Sequence, residues 1–112
     1  MVTKVRVDPG ICKFVTVVKA EKKHNQEIEI SIASACPNLS HFKDAVKTVK
    51  MHDAVNLPKA NFILQKAAES IPHSGCAIPI GIIKACEAEI KFALKREVKI
   101  EFVTEDMKEK SG

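Results

Sequence analysis

Tryptophan and tyrosine are absent from this 112-residue chain, and its aromatic side chains are five phenylalanines. The two arginines, Arg6 and Arg96, form no cluster. Nucleic-acid grooves combine stacking rings with clustered cations, so this scarcity argues against a nucleic-acid partner. Long apolar runs are missing too. The longest, residues 77–83, is interrupted by Pro79 and Gly81, whereas a bilayer span takes about 20 apolar residues. The first seven residues carry Lys4 and Arg6 with no apolar stretch behind them, which is not the pattern of a secretory leader. The expectation is a cytoplasmic protein without a membrane partner. No phosphate loop, dinucleotide fingerprint, serine elbow or paired-histidine zinc motif is present.

The chain does have a core. Hydrophobic residues make up 46%, mostly Val, Ile, Leu and Ala. A chain of this size forms one domain that buries roughly two-thirds of its unfolded surface. We expect that domain over residues 1–104, with 105–112 as a charged, flexible tail. The net charge of +4 comes from 18 basic and 14 acidic residues. Lysine and glutamate alternate along the sequence, which describes a solvated mixed surface.

The periodicity predicts strands over 2–7, 14–20 and 27–33. In the third, Ile28, Ile30 and Ile32 face one way and Glu27, Glu29 and Ser31 the other. The period then turns helical, with Leu39, Phe42, Val46 and Val49 along 37–50 and Pro37 at the first helical position. Further helices are expected over 59–70 and 77–94, the last with an apolar stripe of Ile82, Ile83, Cys86, Ile90 and Leu94. Residues 98–103 alternate again and predict a final strand. The expected order is βββαααβ, an α+β fold with helices on one face of a mostly antiparallel sheet.

Four cysteines in a cytoplasmic chain are not a disulfide framework by default. Cys36 precedes Pro37, and Cys76 stands three residues before Pro79. Both are expected at helix starts, where unpaired N–H groups favour a thiolate. Cys12 follows the turn signal Asp8-Pro9-Gly10. Three thiols at element ends suit a ligand set, although the spacing is not that of a zinc knuckle. His73, three residues before Cys76, is the candidate fourth ligand, with His41 a weaker one. His24 and His52 read as loop residues facing solvent, and Cys86 as core.

Two resemblances bear on function. Asp8-Pro9-Gly10-Ile11-Cys12, Cys36-Pro37 and Cys76-Ala77-Ile78-Pro79, with Ile82-Ile83-Lys84-Ala85 and Glu87, resemble the signature of a family of small three-cysteine proteins. That family occurs mainly in anaerobic bacteria and archaea and brings no established activity. The order of Cys12, Cys36 and Cys76 is also similar to the NifU amino-terminal (IscU-like) iron–sulfur cluster scaffolds, over roughly residues 10–94. In that family one cysteine precedes a strand and two open helices. This chain departs from it at Phe14, where the scaffolds have aspartate, and at Gly75, where they have histidine.

The resemblance implies an IscU/NifU-N-like fold and an iron–sulfur cluster or Zn²⁺ held by Cys12, Cys36 and Cys76, with His73 as a candidate ligand. It also implies partners among iron–sulfur or sulfur-transfer proteins. The leading expectation is thus a metal or cluster binding module rather than an enzyme. One alternative is a sulfur carrier or thiol enzyme in which Cys76 forms a persulfide or thioester. Another is a structural or interaction protein with incidental cysteines, a reading that permits a homodimer.

Overall fold

The computed structural model describes residues 2–104. Strands β1 (Val2–Val7), β2 (Thr16–Lys22) and β3 (Glu27–Ala33) form an antiparallel meander. Val5 pairs with Val18, and Ala20 with Ile30. Thr3, Val18, Ala20, Ile28 and Ile30 are buried on one face, while Lys4, Arg6, Val17, Glu29 and Ser31 are exposed on the other. The one-sided alternation of the sequence is thus realised as a sheet wet on one face. At the β2–β3 turn, Lys23 lies 3.3 Å from Glu21 and 3.6 Å from Glu29. These surface pairs raise the Lys23 pKa from its ordinary value, with the Glu21 hydrogen bond the largest cause.

The first helix is shorter than its periodicity predicts. Pro37–Leu39 is a 3-10 turn, and helix α1 covers Ser40–Ala45. Thr48–Lys50 instead forms strand β4, with Val49 opposite Ile28. Val46, Thr48 and Val49 are β-branched, which lowers helix propensity and suits a pleated surface. The edge of β3 offers them ladder partners, and Ile30 N–H donates to Lys47 O at 2.8 Å. Val46 and Val49 stay buried all the same. A buried pair at this spacing therefore fits a helix end followed by a strand as well as one long helix.

Helix α2 (Met51–Val55) occupies what reads as a loop in the sequence, and a 3-10 turn follows at Pro58–Ala60. Helix α3 (Phe62–Ser70) begins behind Asn61, which is 1% exposed. Asn61 Oδ1 accepts the Leu64 N–H at 3.1 Å, and its Nδ2 donates to Ala54 O and Asn56 O. A buried amide with all these partners both caps α3 and pins α2 against it.

Helix α4 (Ile78–Glu89) packs on β1 and β2 and is buried on most sides. Gly81 lies against Val7, so that a Cβ there would overlap Val7 Cγ2. At the other end of the helix, the buried Glu89 accepts from the Thr3 hydroxyl at 2.7 Å and from the Lys22 N–H at 3.0 Å. These contacts fix the helix direction: α4 runs antiparallel to β1, with its start over Val7 and its end over Thr3.

Two expectations fail at the C-terminal side. The helix expected to reach residue 94 stops at Glu89, and Leu94 is exposed. The chain turns at Lys91, whose φ is +64°. Residues 98–103 form no strand, and Val98, Ile100 and Phe102 are exposed. Alternation alone does not make a strand; a partner edge must supply the hydrogen bonds. The order is therefore βββαβααα, still an α+β fold with helices on one sheet face. The tail expected over 105–112 lies outside the described residues. Among the described residues, no helix is long and apolar enough to cross a membrane.

Candidate functional site

Topology brings the three cysteines of interest to one end of the sheet. Cys12 lies in the connection between β1 and β2, at the end where Val7 pairs with Thr16. Cys36 follows β3, whose last residue, Ala33, stands opposite Val17 at that same end. Cys76 stands two residues before the start of α4, and the first turns of that helix rest on Val7.

Each position has its own local cause. In the Cys12 loop, Gly10 adopts φ +86° and its N–H donates to Asp8 Oδ1 at 3.1 Å. This is an Asx turn, and glycine takes the left-handed conformation without Cβ strain. Lys13 N–H closes the loop onto Gly10 O at 3.0 Å. Ile11 is 98% exposed, and Cys12 is exposed beside it.

Cys36 is half-buried against the core. Its N–H donates to Ser34 Oγ at 3.1 Å. That hydroxyl is hydrogen-bonded at 2.8 Å to the fully buried Thr16, whose Oγ1 also reaches Phe14 O at 2.9 Å. Thr16 and Ser34 thus tie the start of β2 to the segment bearing Cys36. Cys36 caps a single 3-10 turn leading into six-residue α1, rather than the long helix expected over 37–50.

Cys76 is also half-buried and packed against the core. It stands one residue outside the N-cap of α4, which is Ala77. With His73, Leu64, Ala67, Ile71 and Pro79 it lines an open groove of about 420 Å³. His73 is exposed in the connection between α3 and α4. His41 is exposed on α1. His52 stands on α2 rather than in a loop, with Nε2 3.1 Å from Asp53 Oδ1.

Cys86 is fully buried on α4, as the apolar stripe predicts. Burial pushes its thiol up to about 12, and the nearby carboxylates of Glu87 and Glu89 act in the same direction. It is a core side chain held protonated.

Sharing an end of the sheet is not the same as forming a ligand set. Among the described residues, no group of three or more His, Cys, Asp or Glu side chains is placed to hold a metal ion. Cys12, Cys36, Cys76 and His73 are therefore not gathered around one point in this conformation. The supporting hydroxyls of Thr16 and Ser34 escape sequence reading, although Thr16 keeps the two-residue period of Val18 and Ala20. Glu89 escapes it too, because a carboxylate reads as surface, although its place three residues after Cys86 and seven after Ile82 puts it on the apolar stripe.

No curated protein matches the chain, and no solved structure matches it. One family matches residues 3–102, nearly the whole described fold. The chain belongs to that family, the family of unknown function DUF6951.

Proposed function

We propose that the sheet end bearing Cys12, Cys36 and Cys76 is a soft-metal ligand end that binds Zn²⁺ or an iron–sulfur cluster. One observation carries this reading: cysteines 24 and 40 residues apart in sequence reach the same end through three different elements. Thiolates are the ligands that zinc and iron–sulfur clusters share. The donor chemistry therefore fits, while the separation of the side chains leaves assembly to the Cys12 connection. That loop is the exposed member of the set, held by turns of its own. Cys36 and Cys76 are half-buried against the core at the same end of the sheet, and His73 lies near enough in sequence to Cys76 to complete a four-ligand shell. A bound group would supply structural cross-linking or a cargo for iron–sulfur or sulfur-transfer partners in the cytoplasm, as in the IscU-like scaffolds.

The test is metal analysis of protein purified without oxygen. Near-stoichiometric zinc, or iron with sulfide and thiolate-to-iron charge-transfer absorption, is the expected result. Cys12→Ser, Cys36→Ser and Cys76→Ser should each abolish binding, and Cys86→Ser should leave it intact. A metal-free wild type after reconstitution with both zinc and iron–sulfide removes the proposal.

The groove favours a second reading. Cys76 and His73 line the same open cleft, the minimum arrangement for a reactive thiol with a nearby base. In that version Cys76 alone reacts quickly with a thiol probe at neutral pH, and His73→Ala slows it. Equal, slow labelling of Cys12, Cys36 and Cys76 rules this version out.

A further inference from the structure

Residues 98–103 read Val-Lys-Ile-Glu-Phe-Val, the alternation of a half-buried strand. Ile100 is 88% exposed and Phe102 fully so. Lys99 Nζ lies 2.8 Å from Glu101 Oε1, so the two charges share one side of the segment. Among the described residues, β1 has one strand neighbour, β2. The chain therefore carries both an open sheet edge and a strand-patterned segment of the same length that does not pair with it. An open edge of N–H and C=O groups is a template for another strand.

Side-chain chemistry selects one antiparallel register. With Glu101 opposite Arg6, Lys99 falls opposite Asp8, and both pairs join unlike charges on the solvent face. Ile100 then meets Val7 and Phe102 meets Val5, on the face that α4 covers. Opposed unlike charges and apolar pairs both stabilise antiparallel strands. Sliding by two residues one way sets Lys99 against Arg6, and the other way sets Glu101 against Asp8. A slip of one residue turns Ile100 and Phe102 out to water.

We propose that residues 98–103 add to the β1 edge of a second copy of this chain, reciprocally, in a two-fold dimer. Edge and strand lie on the same polypeptide, so the interface is self-complementary and closes with two copies. The contact uses none of the cysteines and stands independently of the thiol reading.

The test pairs two charge reversals, Arg6→Glu and Glu101→Arg, both at exposed positions. Wild-type full chain should run at twice the chain mass in light scattering. Each reversal acts at both strand contacts, so each variant alone should weaken the dimer about tenfold or more. An equimolar mixture should restore the dimer, because a heterodimer of the two variants again sets a carboxylate against a guanidinium at both contacts. Circular dichroism of each variant should match wild type. A wild-type monomer at all concentrations overturns the proposal, as does a mixture no more dimeric than its components. The first outcome is also what folding of 98–103 onto its own β1 would give.

Discussion

The Glu89 carboxylate and the Thr3 hydroxyl, 86 residues apart in the chain, meet in a buried hydrogen bond of 2.7 Å. The second carboxylate oxygen takes the Lys22 N–H. One side chain at the last position of α4 thereby binds both β1 and β2, and it sets which end of the helix faces the cysteine loops. Removing the hydroxyl while keeping the shape isolates the bond. Thr3→Val should destabilise the domain by about 1–3 kcal/mol, because a buried acceptor loses its donor. Paired with Glu89→Met, which keeps the side-chain length but has no oxygen to accept the Thr3 hydroxyl, the two losses should be clearly non-additive in a double-mutant cycle followed by chemical denaturation. Additive losses would mean that the contact contributes nothing of its own.

Gly81 gives a prediction whose sign depends on packing. Alanine in a helix interior gains about 1 kcal/mol over glycine in propensity. The added methyl would overlap Val7 Cγ2, however, and Val5 Cγ1 lies 3.8 Å away. Overpacking of a tight contact costs about 1–3 kcal/mol. Gly81→Ala should therefore lower the melting temperature, and the combination with Val7→Ala should recover part of the loss. A stabilised single variant would show that α4 can move off β1 freely.

Cys86 makes stability depend on alkaline pH. Its thiol is raised from 9.0 to about 12 in the folded state, burial being the largest cause. An acid whose folded pKa lies above its unfolded value contributes fully below the lower value. Between pH 9 and 12 the unfolded chain releases the proton while the folded chain keeps it. Stability falls across that window by about 1.4 kcal/mol per pH unit. Comparing melts at about pH 8 and about pH 10.5, on either side of the unfolded thiol's pKa, wild type should lose more than Cys86→Ala. Equal losses would place the thiol in contact with water.

Much of this fold is legible from pattern. β3 alternates so cleanly that its range is read without error, and Ile28 and Ile30 are buried as expected. Residues 37–50 mislead because Val46 and Val49 satisfy a helical spacing, while the competing offer of the β3 edge is a tertiary fact. Residues 98–103 fail for the converse reason: their pattern is right, but they do not pair with the open β1 edge of their own chain. At the candidate site, element ends are legible because Pro37, Pro79 and Asp8-Pro9-Gly10 mark them. Whether Cys12, Cys36 and Cys76 share an end depends on the direction of α4, which rests on Glu89 and Gly81. Neither residue carries a pattern that announces its partner.

The most direct measurement is a cysteine-protection footprint on the oxygen-free full chain. Alkylation is followed residue by residue by mass spectrometry, with and without added zinc or an assembled iron–sulfur cluster. A shared ligand end predicts that Cys12, Cys36 and Cys76 become protected together at one equivalent of metal or cluster, with Cys86 silent throughout. Protection of a single thiol, or of none, would contradict it.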